Sequence, residues 1–113
     1  MKSKLITSLI ITAVGIAFSA IPAIAADADA AQALAKKSGC LKCHAVDKSK
    51  KGPSFQKTAA KWKGKADAEA KLTDSITKAP KVKFEDGTQE EHKVVDSKDA
   101  KEIKNLVQWI LAQ

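Results

Sequence analysis

The segment Ser38–Phe55, SGCLKCHAVDKSKKGPSF, holds both cysteines of the chain and one of its two histidines. Cysteines three apart at a helix start point to one side, where both can bond the vinyl groups of a single haem. The histidine that follows then lies under the iron. Three other chemistries use similar residues. A zinc site of two cysteines and two histidines wants His-x₃₋₅-His, but His44 follows Cys43 directly and His92 stands alone. A redox dithiol expects the motif between a strand and a helix, and nothing before Cys40 reads as strand. A disulfide between Cys40 and Cys43 would close too short a loop to stabilise much. The pattern favours one haem c per chain, linked through Cys40 and Cys43 with His44 as proximal iron ligand.

The first residues fit that chemistry. MKSKLITSLIITAVGIAFSAIPAIA has a charged start at Lys2 and Lys4, an apolar run, and a small-x-small ending at Ala23–Ala25. This is the plan of a secretory signal peptide over 1–25, cleaved after Ala25. A retained anchor is the alternative, since the apolar run approaches the roughly 20 residues of a bilayer span. Cleavage leaves 26–113 as one domain with a periplasmic address and no stable membrane insertion. Such a small domain builds a marginal core, which a covalently held apolar ring would fill.

All the basic residues are lysines. Removing Lys2 and Lys4 takes the formal net charge from +7 to +5. Arginine, the side chain suited to bidentate phosphate and base-edge recognition, is absent, which argues against nucleic acid as a partner. Most of these lysines are expected to solvate the surface. Lys42, Lys48, Lys50 and Lys51 lie close in sequence to the cysteines and could steer acidic protein partners.

The periodicity predicts an all-α domain. Asp29–Ser38 is alanine-rich, with Asp29 as a candidate N-cap and Gly39 at the end. Short helices are expected over Ser54–Lys63, ended by Gly64, and over Asp67–Lys78, stopped by Pro80. Ile103, Leu106, Val107, Ile110 and Leu111 recur at helical spacing, giving an amphipathic final helix that begins near Asp96 or Ser97. Between Pro80 and Ser97 the chain reads as a long irregular loop with a turn at Asp86-Gly87.

Gly39–His44, Lys51–Phe55, AAKWKGKADAEAKLTDSI and the closing LVQWILAQ resemble the small bacterial class I cytochromes c. The resemblance runs from about Ala28 to the end, apart from the loop between Pro80 and Asp96. It implies crossed N- and C-terminal helices, with the Leu34 side against the Ile103–Ile110 face. It also implies that the Pro53 carbonyl accepts the free N–H of His44, fixing the ring and raising its basicity.

That family places an axial methionine before the last helix, and here the only methionine is Met1. TQEEHKVV stands in its place, so His92 is the expected second axial ligand. An open or water-bound iron, Lys81, Lys83, Lys93 and, remotely, Asn105 are the alternatives. Two imidazoles imply a lower potential than histidine–methionine ligation. The implied function is electron transfer between redox partner proteins by a monomer or dimer, without catalysis. The competing reading is a haem protein that binds or senses a small gas at an open or displaceable sixth position. In a third reading the chain is a subunit of a larger haem complex, with Val82, Phe84, Val94 and Val95 as contact surface rather than haem lining.

Overall fold

The computed structural model describes residues 15, 16 and 25–113. The expected leader over 1–25 lies, except for residues 15, 16 and 25, outside the described residues. Among those described, no helix is long and apolar enough to cross a membrane.

Four helices frame the domain: α1 (Ala28–Lys37), α2 (Phe55–Trp62), α3 (Ala68–Thr77) and α4 (Ala100–Leu111). A short 3-10 turn at Cys40–Lys42 follows α1, and a hairpin of β1 (Lys81–Lys83) and β2 (Gln89–Glu91) lies between α3 and α4. The N-cap of α1 is Asp27, whose carboxylate accepts from the Ala30 amide at 3.0 Å; Asp29 falls in the first turn instead. Both positions favour an acid, one through the capping bond and the other through the helix dipole, so the sequence alone left the start ambiguous. Helix α4 likewise begins later than the periodicity suggests: Asp99 caps it by accepting from the Lys101 and Glu102 amides, while the Ser97 hydroxyl accepts from the Asp99 amide and donates to Glu102.

α1 and α4 meet as the crossed terminal pair. Ala31 and Ala35, one turn apart, are fully buried, as are Leu106 and Val107 opposite them. The small alanines let the two backbones approach while the larger residues of α4 fill the remaining space. Phe55, Leu72, Ile76, Trp109 and Ile110 complete the core cluster. At the N-terminal end the Asn105 side chain grips the backbone of Asp27. Asn105 Oδ1 accepts from the Asp27 amide at 2.7 Å, and its Nδ2 donates to the Asp27 carbonyl at 2.8 Å. Asn105 is therefore a clamp between α1 and α4, which removes it from the candidate iron ligands. Asn105→Ala is expected to lower stability by about 1–2 kcal/mol in urea unfolding, with the visible spectrum unchanged.

The segment after Pro80 departs from the irregular loop expected there. β1 and β2 pair antiparallel, Lys81 opposite Glu91, Val82 opposite Glu90 and Lys83 opposite Gln89. Asp86-Gly87 does form the turn: Gly87 has φ +86°, and Asp86 accepts from the Thr88 amide at 2.9 Å and hydroxyl at 2.6 Å. These two bonds hold the Asp86 carboxyl below its ordinary range. Strands of three mostly charged residues carry no β signature, and a two-stranded hairpin is marginal by itself. Contacts outside it hold it in place: Val95 N–H donates to the Ile76 carbonyl at 2.8 Å and Asp96 N–H to the Ser38 hydroxyl at 2.9 Å.

Candidate functional site

Gly39, at φ +75°, ends α1 and turns the chain into the 3-10 turn that carries the cysteines. The Cys40 carbonyl accepts from the amides of Cys43 at 3.2 Å and His44 at 2.9 Å, closing one tight turn. Three residues per turn bring residues i and i+3 onto one face, so Cys43 stands directly one turn beyond Cys40. Both cysteines are half-buried thiols outside any disulfide. Burial pushes the Cys40 thiol up from its ordinary pKa. A catalytic dithiol needs the opposite shift, so this environment does not activate Cys40 as a redox nucleophile. Among the described residues no cluster of three or more metal-ligating side chains occurs.

His44 is fixed on two sides. Its Nδ1 lies 2.6 Å from the Pro53 carbonyl, and its ring stacks on Phe55 with centroids 5.5 Å apart and planes 21° apart. A carbonyl only accepts, so Nδ1 carries the proton and Nε2 keeps its lone pair for a metal. Phe55 in turn meets Trp109 edge-on at 5.4 Å, tying the histidine to α4 and the helical core. Gly52 makes the third wall. Its amide donates to the Cys43 carbonyl at 2.8 Å, and a Cβ there would sit 2.5 Å from His44 Cε1.

His92 lies just beyond β2, with its amide donating to the Pro80 carbonyl at 2.8 Å. Its Nδ1 lies 2.8 Å from the Lys93 carbonyl, so this imidazole also has Nε2 available as a donor atom. The hairpin brings it opposite His44, with ring centroids 6.1 Å apart and planes at 46°. Two metal–nitrogen bonds of about 2 Å, with about 1 Å from each nitrogen to its ring centre, span roughly 6 Å. The observed 6.1 Å is close to that span, and the cysteine turn leads directly into His44. The residues fit a covalently attached haem.

The hydrophobic candidates near the site divide. Val95 enters the helical core, Val94 is exposed, and Val82 and Phe84 are half-buried on the hairpin. Two of the lysines near the cysteines are engaged within the chain: Lys50 Nζ donates to the Leu41 carbonyl at 2.8 Å, and Lys51 Nζ to Glu90 Oε1 at 2.6 Å. Lys42 and Lys48 are exposed. The Lys51–Glu90 pair is a contact that sequence reasoning missed, because 39 positions separate its members and nothing local links them.

The family model for cytochrome c matches residues 28–113. The chain belongs to the cytochrome c family. Cytochrome c-551 of Allochromatium vinosum is 35% identical over 95 residues, covering 84% of this chain and 97% of that protein. Cytochrome c-551 of Pseudomonas aeruginosa is 33% identical over 82 residues, covering 73% of this chain and 75% of its relative. Among solved structures, the class 1 cytochrome MtoD of Sideroxydans lithotrophicus ES-1 superposes with a TM-score of 0.75 at 55% identity, over 78% of this chain and 97% of that one. This cytochrome is a class I electron carrier with one c-type haem attached at Cys40 and Cys43, and it acts with redox protein partners rather than as an enzyme. The small helical fold with terminal helices in contact is the family's.

Proposed function

We propose that this cytochrome is a periplasmic one-electron carrier whose haem iron is held by His44 and His92. Its potential lies below that of histidine–methionine members of the family. One observation carries the reading: the two imidazole ring centroids lie 6.1 Å apart, each ring with Nδ1 at hydrogen-bond distance from a backbone carbonyl. The periplasmic address rests on the signal-like leader.

The haem supplies the one-electron ferric–ferrous couple. What the chain contributes is rigidity on one side and closure on the other. The Pro53 carbonyl fixes the His44 tautomer and makes Nε2 more basic. Stacking on Phe55 stops the ring from rotating, and Trp109 passes that constraint to α4. Small ligand movement between oxidation states keeps reorganisation low, which suits a carrier. On the other side the hairpin delivers His92 and limits the approach of water. Exposed Lys42 and Lys48 give nearby positive charge that would favour encounter with acidic protein partners.

The test is electron paramagnetic resonance of the ferric holoprotein. A low-spin signal of two nitrogen ligands, converted to high spin in His92→Ala, is the expected result. A high-spin parent that binds carbon monoxide readily when reduced would instead make this a gas-binding haem protein.

A further inference from the structure

Lys51 joins the two sides of the haem site. Its backbone belongs to the loop that cradles His44: the next residue, Gly52, abuts that ring, and Pro53 supplies the carbonyl to its Nδ1. Its side chain crosses to the opposite wall. There Nζ donates to Glu90 Oε1 at 2.6 Å and lies 4.6 Å from the centroid of the Phe84 ring. Glu90 is on β2 and Phe84 directly follows β1, so one ammonium grips both arms of the hairpin. Among the described residues, the other recorded side-chain hydrogen bonds and ion pairs of residues 81–91 stay within the hairpin turn.

We infer that Lys51 is a positioning residue, a clasp that keeps the hairpin closed so that His92 stays on the iron. This rests on the bis-histidine reading above. An exposed ion pair by itself contributes little, and the side chains here are 47% and 56% exposed. Three circumstances make this one matter. The ammonium has two partners at once, combining an ion pair with a cation–π contact. The hairpin has little intrinsic stability, so a small added attraction changes a large share of its closing equilibrium. The opposite end of the clasp is also anchored, since Gly52 and Pro53 are held against Cys43 and His44.

Cyanide reaches ferric iron only when His92 has let go, so its association rate with the holoprotein reads the open fraction. Lys51→Met keeps the aliphatic stem and removes both contacts; Glu90→Gln removes the ion pair from the other side. Lys51→Met is expected to raise the rate about 3- to 10-fold, with a smaller rise for Glu90→Gln. The double variant should resemble Lys51→Met, and Lys51→Arg should restore slow binding. Near 1 M salt the parent accelerates while Lys51→Met barely responds, because screening acts on a pair the variant lacks. The helical unfolding midpoint is read alongside: it stays in place if only the hairpin loosens. Rates indistinguishable from the parent in both single variants, with low-spin spectra, overturn the clasp alone. A rate rise matched by a general fall in the unfolding midpoint also overturns it, since the effect is then ordinary destabilisation. If His92→Ala binds cyanide no faster than the parent, the bis-histidine reading fails and the clasp fails with it.

Discussion

Redox titration of a His92→Met holoprotein is expected to give a midpoint clearly above the parent's, within the roughly 0.8 V over which axial ligands set haem potentials. Imidazole is a good donor to ferric iron, whereas a soft thioether favours the ferrous state, so exchanging one for the other at a fixed position raises the potential. The position suits the experiment. Residue 92 is tied to the Pro80 carbonyl through its amide, and this bond is independent of its side chain. Methionine also has the length and the flexible torsions to bring its sulfur to the place His92 Nε2 occupies. The absorption of the oxidised variant should gain the weak near-infrared band that accompanies sulfur coordination. An unchanged midpoint with an unchanged spectrum would mean that residue 92 does not touch the iron, leaving an open or water-bound sixth position or one of Lys81, Lys83 and Lys93.

Gly52→Ala is expected to be the most damaging small substitution in the chain. The added methyl would lie 2.5 Å from His44 Cε1, 2.9 Å from Nδ1 and 3.1 Å from Nε2, across the whole face of the ring. The ring has nowhere to retreat. Phe55 stacks on it and Nδ1 is held at 2.6 Å from Pro53, so relieving the clash must break one of those contacts or move the loop. Overpacking of this kind costs about 1–3 kcal/mol, and here it falls on the proximal ligand. The measurable result is a low yield of holoprotein together with a disturbed low-spin ferric spectrum. Gly64→Ala makes the comparison sharp. Gly64 has φ +74° and open space around its Cβ position, so alanine there brings backbone strain of about 1–2 kcal/mol and leaves the spectrum alone. Equal spectral effects from the two substitutions would show that the space beside His44 is not what Gly52 preserves.

The helical part of the domain was legible because its signals are local. Ala68, Leu72 and Ile76 are buried at the spacing that α3 requires, and Leu106, Val107 and Ile110 at the spacing of α4. Gly39 and Gly64 end helices where the chain must turn left-handed. The errors also have local causes. Asp27 and Asp29 are equally acceptable acids at a helix start, and Ser97 and Asp99 are both acceptable caps, so only the hydrogen bonds choose between them. The hairpin escaped notice because Lys-Val-Lys and Gln-Glu-Glu are poor strand formers, and what holds them comes from elsewhere in the chain.

The sequence by itself determined the cofactor. Two thiols and an imidazole within five residues can be read for their chemistry before any fold is known. Set against the axial methionine of the family it resembles, it also pointed to His92, since no methionine follows Met1 and one further imidazole is present. The tertiary structure alone decided how close these groups come. His44 and His92 are 48 positions apart, and their ring separation of 6.1 Å depends on α3, the hairpin and the Ser38–Asp96 bond together. The same holds for Lys51, which looks like one solvating lysine among many until the hairpin brings Glu90 and Phe84 to it. Local chemistry is written in neighbouring residues, whereas a contact between distant ones exists only after the chain has closed the loops between them.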